Sequence, residues 1–173
     1  MRRAVGRLDV FTFKAGVLAL AAHDLHLRLE GFEATLEGEA VEAAFPLERL
    51  RLLGPVHNGV TQPDRYDVRQ VAEVERAMRE EILRVREHPV AQVRGRAAPR
   101  AGGWEVTGEL ELAGARAPVA LVLAPEAGEY RGTVELHPSR WGIPEYRALL
   151  GAIRLQDRVR VEIALREVSE RAE

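Results

Sequence analysis

Two histidines and an aspartate lie within four positions of each other, in the segment HDLH at residues 23–26. Imidazole and carboxylate side chains are the usual ligands of catalytic zinc and the usual general acids and bases of hydrolases. The segment therefore suggests two kinds of chemistry: a metal site, or a catalytic pair formed by Asp24 and His26.

The spacing argues against one shared site for all three residues. The surrounding sequence alternates as in a β-strand, in which side chains two positions apart share a face. His23 then lies on the face of Leu25, and Asp24 lies on the face of His26. Catalytic zinc needs three protein ligands, and the other histidines are distant in the sequence. We expect an ordinary solvated surface around Asp24 and His26, with a metal-dependent or Asp-His hydrolase as the alternative.

His23 shares its face with apolar residues, where a neutral imidazole costs free energy unless its nitrogens find hydrogen-bond partners. Two interpretations stay open. In the first, His23 is a core residue bonded to a backbone carbonyl. In the second, it lies at a cavity and donates a hydrogen bond to a carbonyl or hydroxyl group of a ligand.

The composition excludes several other functions. A chain of 173 residues is about the size of one domain, so we expect a single domain over 1–173. The 25 basic and 27 acidic residues nearly cancel, which argues against nucleic acid as a partner. The absence of cysteine excludes disulfides, thiolate metal sites and thiol nucleophiles. The sequence contains no P-loop, dinucleotide or serine-hydrolase motif, and we predict no cofactor.

Residues 16–22, GVLALAA, loosely resemble the apolar part of a signal peptide. However, Arg7, Asp9 and Lys14 precede this run, and residues 7–14 alternate as in a strand. No run approaches the roughly 18 apolar residues of a membrane-spanning helix. We therefore expect a cytoplasmic protein without stable membrane insertion.

Most of the chain shows the period-two alternation of strands with one buried and one solvated face, most clearly WEVTGELEL at 104–112. The turns between these strands are short, which indicates antiparallel neighbours. Closure of such a sheet removes its exposed edges. We predict a mainly β protein that forms a closed antiparallel barrel of about eight strands.

One segment has helical spacing instead, with apolar residues at steps of three and four: Val71, Val74, Met78, Ile82 and Val85. Asp67 is placed to cap this helix together with Gln70, and Pro89 enforces its end. We predict one long amphipathic helix over about 67–87 and a short helical turn near 145–150.

Small residues at inward positions predict a hollow barrel. Ala21, Ala34, Gly108 and Gly132 each leave out a side chain of about leucine size, and an eight-stranded barrel can hold one small ligand. The alternative is that these residues allow tight coiling of the strands or face a packed helix.

The order of these elements resembles the YceI-like family. In that family a histidine on an apolar strand precedes a glycine by eight positions, with an aromatic residue beside it, as His23, Gly31 and Phe32 do here. The stretches at 80–97, 104–123 and 135–145 are similar to the family's helix with its following strand, its strand pair and its Arg-aromatic-Gly-Ile stretch. The resemblance implies a lipocalin-like barrel whose apolar lumen holds an isoprenoid chain, such as that of a quinone or a polyprenyl lipid.

We therefore expect a non-enzymatic protein that binds, stores or transports an apolar isoprenoid-type lipid. A solid barrel that acts through its surface, as a homodimer by analogy with relatives, is a further alternative. The residues expected to contact the ligand are His23, Leu25, Leu27, Leu29, Phe32, Leu36, Trp104, Val106, Leu110, Val134, Trp141, Val161 and Ile163.

Overall fold

The computed structural model describes residues 1–16, 23–148 and 153–168. All described strands belong to one antiparallel sheet. The strands are β1 Arg2–Ala15, β2 Asp24–Glu37, β3 Ala40–Pro46, β4 Arg51–His57, β5 Val60–Thr61, β6 Val90–Arg100, β7 Gly103–Leu112, β8 Ala115–Glu126, β9 Glu129–Leu136, β10 Arg147–Ala148 and β11 Ile153–Val168.

Within these residues, eight strands close into a barrel in the order β1, β11, β9, β8, β7, β6, β3, β2 and back to β1. The predicted closed antiparallel barrel is confirmed. β2 changes partner along its length: its first half pairs with β4, and its second half pairs with β3. β4 and β5 therefore extend from the barrel wall beside the first half of β2.

The predicted long helix is shorter than expected. Helix α1 runs over Val68–Arg76 and continues as a wider π-helical segment through Ala77–Ile82. The predicted capping box is present, because the Asp67 carboxylate accepts from the Gln70 N–H at 2.9 Å and the Gln70 side chain accepts from the Asp67 N–H. The helix ends before 87 because Arg84 adopts a left-handed φ of 48°. Apolar spacing alone does not reveal such an ending.

The short helical turn near 145–150 is not where it was predicted. Residues 147–148 form β10, and residues 149–150 lie outside the described residues. A 3₁₀ turn occurs earlier, at Pro138–Trp141, and ends at Gly142 with a left-handed φ of 69°. No helix in the described ranges is long and apolar enough to cross a membrane.

Gly108 and Gly132 do not make room in the lumen, so this part of the prediction is wrong. A Cβ at Gly108 would lie 2.7 Å from Gly95 Cα on the neighbouring strand and would also meet the Arg94 carbonyl oxygen. A Cβ at Gly132 would meet the Val122 carbonyl oxygen. Both glycines allow close approach of neighbouring strands, which was the alternative explanation. Ala21 lies outside the described residues.

Gly108→Ala is expected to lower the free energy of unfolding by about 1–3 kcal/mol, because the added methyl group has to push β6 and β7 apart. Urea denaturation measures this. Thr107→Ala, at the exposed neighbouring position on the same strand, is the matched control and should change stability by about 0.5 kcal/mol or less. Equal stability of Gly108→Ala and the wild type would contradict the tight packing.

Candidate ligand-binding site

The barrel encloses a cavity of about 270 Å³. All eight barrel strands contribute to its wall, and Met78, Ile82 and Leu83 from the helical segment and its end also line it. The wall side chains are apolar except at the end where β1 finishes and β11 begins. The barrel is therefore hollow, so a solid interior is excluded.

Seven of the residues predicted to contact a ligand line this cavity. They come from inward positions of β2, β7, β9 and β11, which shows that the period-two alternation identifies the inner wall correctly. Their contact with a ligand stays a prediction. These residues are Leu27, Leu29, Val106, Leu110, Val134, Val161 and Ile163.

Two predicted residues lie at the opposite end of the barrel. Leu36 and Trp104 line a second cavity of about 70 Å³, together with Ala34 and Tyr130. Val106 lies between the two cavities and lines both. The inward face of the sheet thus lines two separate cavities. Alternation shows that a residue points inward, but not which of the two cavities it lines.

Three further predicted residues are core residues that line neither cavity. Phe32 packs against Phe45, with ring centroids 4.7 Å apart. Leu25 packs against the same core. Trp141 is only 2% exposed, and its indole N–H donates to the Leu110 carbonyl at 2.7 Å. The structure thus gives Trp141 a packing role at the barrel end.

His23 also lies away from both cavities, and its partner is not a backbone carbonyl. Its Nδ1 lies 3.3 Å from the Tyr66 hydroxyl. Burial lowers the pKa of His23, and the nearby charges of Arg65 and Lys14 lower it further, whereas burial raises the pKa of Tyr66. Both side chains are therefore neutral near pH 7, and the Tyr66 hydroxyl shares a hydrogen bond with His23 Nδ1, in a direction set by the imidazole tautomer.

Five polar residues at the cavity mouth were not predicted. The mouth is the end of the cavity where β1 finishes and β11 begins. Thr12 could have been found from the alternation of β1, since it follows Leu8 and Val10 on the inward face. The others are on an irregular segment or at the start of β11, where alternation gives no signal. The five mouth residues are Thr12, Glu145, Tyr146, Gln156 and Asp157.

The mouth contains two carboxylates with different partners. Glu145 forms ion pairs with Arg147 at 3.7 Å and Arg154 at 3.8 Å. Asp157 accepts hydrogen bonds from the Ser139 hydroxyl and from the Ser139 N–H, the latter at 2.8 Å. These two bonds lower the pKa of Asp157. Asp157 therefore carries a negative charge near pH 7.

The expected solvated surface around His26 is wrong. His26 is 7% exposed, and Asp9 on β1 is 8% exposed. His26 Nε2 lies 2.7 Å from Asp9 Oδ1, and His26 Nδ1 lies 2.7 Å from the Thr61 hydroxyl. Phe11 stacks on the imidazole, with ring centroids 4.3 Å apart. This outer face of β2 is buried because Thr61 on β5 and the side chains of β1 cover it.

The catalytic pair of Asp24 and His26, which the sequence analysis left as the alternative, is not formed. Asp24 accepts a hydrogen bond from the Lys14 N–H at 2.8 Å, and His26 pairs with Asp9 instead. Asp9, His26 and Thr61 have the order of a hydrolase relay, but none of them lines either cavity. The network joins β1, β2 and β5. In the part of the chain that the structure describes, no group of three or more histidine, aspartate or glutamate side chains is placed to hold a metal ion.

Comparison with known proteins identifies relatives. The model of the YceI-like domain family matches residues 12–166. The structure is similar to that of BcnA from Burkholderia cenocepacia, with 11% identity, a TM-score of 0.63 and coverage of 95% of this chain and 96% of that chain. It is also similar to a polyisoprenoid binding domain from Saccharophagus degradans, with 11% identity, a TM-score of 0.59 and coverage of 94% and 95%.

A third similar structure is the YceI protein from Campylobacter jejuni, with 9% identity, a TM-score of 0.54 and coverage of 83% of this chain and 85% of that chain. The curated proteins contain no significant match. At identities this low, the structural similarities establish a shared fold and leave the ligand to be argued from the cavity itself.

Proposed function

Because this chain belongs to the YceI-like family, we propose that it binds, stores or transports an apolar isoprenoid-type lipid in the barrel lumen. The observation that carries the proposal is the apolar cavity of about 270 Å³. The polyisoprenoid binding domain among the similar structures supports the same ligand class. The mechanism needs no chemical step, since burial of hydrocarbon supplies the driving force.

The size of the cavity sets the length of chain that fits. If a methylene group takes about the volume of a water molecule in the liquid, roughly 30 Å³, the cavity holds about nine such groups, or about two isoprene units. At about 0.8 kcal/mol for each buried CH₂ group, these groups contribute about 7 kcal/mol before the cost of association. A longer chain has to extend through the mouth or widen the cavity.

A quinone or a polyprenyl lipid is the ligand that we propose. The homodimer, the cytoplasmic location and the assignment of residues 1–173 to one domain stay predictions.

Mass spectrometry of organic extracts tests the proposal. The protein is purified without detergent from its native host and extracted with solvent, and the purification buffer passed over the same column is the control. We expect an isoprenoid in about equimolar amount to the protein. An extract without any stoichiometric apolar molecule, from a protein that also fails to bind added geraniol, would overturn the proposal.

A further inference from the structure

Val106 on β7 lies at the boundary between the two cavities and lines both of them. On the same strand, Trp104 lines the smaller cavity and Leu110 lines the larger one. The inward residues of a strand follow one another along the barrel wall, so Val106 marks the level at which one cavity ends and the other begins. Its isopropyl group is therefore part of the partition between them.

Phe32 closes the partition on the side of the barrel that lies across from β7, where β1 and β2 pair. On β1, Ala4 lines the smaller cavity, Leu8 lines the larger one, and Gly6 between them lines neither. Phe32 pairs with Gly6, and a Cβ at Gly6 would lie 2.7 Å from Phe32 Cζ. The ring of Phe32 thus fills the space that a side chain at Gly6 would take.

A β-bulge in β2 gives Phe32 this position. Leu29 points inward and lines the larger cavity, and Phe32 also points inward although it follows three positions later rather than two. Gly31 takes up the extra residue, since the register between β1 and β2 shifts here and Gly31 has a left-handed φ of 73°. Phe32 is 2% exposed and packs against Phe45. The partition is thus a tightly packed ring on one side and the valine side chain of Val106 on the other.

The space behind Val106 can hold more of an apolar chain. The smaller cavity of about 70 Å³ has room for about two methylene-sized groups, at roughly 30 Å³ each, and Leu36 and Leu123 supply apolar walls. Each buried CH₂ group increases the affinity about fourfold. Two further groups would therefore increase it about fifteenfold, and the partition withholds this gain from a chain in the larger cavity.

We propose that Val106 determines the length of isoprenoid chain that the barrel accepts, because its side chain stops the bound chain after about two isoprene units. This inference rests on the proposed function, since it assumes a chain in the larger cavity. A ligand with a longer prenyl chain then keeps its further units outside the mouth, where they add little to the affinity.

The test compares two probes that have the same hydroxyl end and differ only in chain length: geraniol with two isoprene units and farnesol with three. Each is titrated into the wild type, Val106→Ala and Val134→Ala. Val134 on β9 lines only the larger cavity, so Val134→Ala removes the same two methyl groups away from the partition and is the matched control. Circular dichroism checks that both variants are folded, as we expect when only two methyl groups are removed.

We expect the wild type to bind farnesol no more than about threefold more tightly than geraniol. Val106→Ala joins the two cavities, so it should bind farnesol at least about tenfold more tightly than geraniol. Val134→Ala should change the affinity for both alcohols alike and keep their ratio within about threefold of the wild-type ratio.

The outcomes separate this inference from the proposed function. If the wild type binds neither alcohol, the proposed function fails. If the wild type binds geraniol but binds farnesol more than tenfold more tightly, Val106 does not limit the chain. The inference is also overturned, while the lumen site stands, if Val106→Ala keeps the wild-type ratio or if Val134→Ala shifts the ratio as much as Val106→Ala does.

Discussion

Leu110→Trp should weaken geraniol binding by about tenfold to thirtyfold and leave the barrel folded. Leu110 lies on β7 and lines the cavity. An indole in place of the leucine side chain displaces about two methylene-sized groups of ligand, and at about 0.8 kcal/mol for each group the loss is about 2 kcal/mol. Isothermal titration calorimetry measures the affinity. Circular dichroism and urea denaturation check the fold, for which overpacking should cost about 1–3 kcal/mol.

The matched control is Glu109→Trp, which adds the same side chain at the exposed neighbouring position and should bind geraniol like the wild type. If Leu110→Trp does not fold, Val134→Phe narrows the same cavity from β9. Undiminished affinity in a folded cavity variant would place the ligand outside the lumen and contradict the proposed function.

The second large effect that we expect is a loss of stability when the Asp9 carboxylate is removed. Asp9→Ala should lower the free energy of unfolding by about 3 kcal/mol at pH 7, at the lower end of the range for breaking a buried ion pair. The Asp9 carboxylate accepts hydrogen bonds at 2.7 Å from Arg28 and lies 2.7 Å from His26 Nε2. Without it, His26 stays buried with one nitrogen unpaired, whereas the partly exposed Arg28 can reach water. Urea denaturation measures the loss.

The loss should depend on pH in a defined direction. Burial raises the pKa of Asp9, but the hydrogen bonds from Arg28 and His26 and their positive charge outweigh this effect, so the pKa lies below its ordinary value. The stabilisation is then fully present above about pH 4, the ordinary range of an aspartate, and is lost as the pH falls through the lowered pKa. The stabilities of wild type and Asp9→Ala should therefore converge in acid.

Glu33→Ala is the control for Asp9→Ala. Glu33 pairs with Arg3 at 3.3 Å on the same pair of strands, but both side chains are exposed, so the change should be about 0.5 kcal/mol or less. A loss below about 1 kcal/mol for Asp9→Ala, or a difference that widens in acid, would show that the network does not stabilise the fold. A double-mutant cycle with His26→Ala measures how much of the effect the pair shares.

Local sequence patterns correctly predicted those features of the structure that depend only on residues close together in the chain. The capping box of Asp67 and Gln70 formed as predicted, because both partners lie within one helical turn. The alternation of β7 correctly placed Val106 and Leu110 inward, because successive side chains in a strand point to opposite faces. The end of the helix was not predicted correctly. Neither the π-helical segment Ala77–Ile82 nor the left-handed backbone of Arg84 changes the spacing of the apolar residues from which the helix was predicted.

The partners of His26 could not be found from local patterns. Asp9 precedes it by 17 residues and Thr61 follows it by 35. The alternation of β2 placed His26 on the outer face, which is correct, but it could not show that Thr61 on β5 covers that face. The role of Gly108 was misinterpreted because it also depends on a residue that is distant in the sequence. Only the pairing with Gly95 shows that the absence of a side chain at Gly108 lets the backbone of β6 approach closely.

The sequence by itself determined the closed antiparallel barrel, the family and the identity of the inner wall, since each follows from alternation, short turns and the order of elements along the chain. Only the tertiary structure decided how that wall is divided between two cavities and which polar residues surround the mouth of the larger one. The stagger of the paired strands sets how far along the barrel each inward residue lies, and this stagger depends on contacts between distant segments. The same contacts placed His23 beside Tyr66 and away from the apolar cavity.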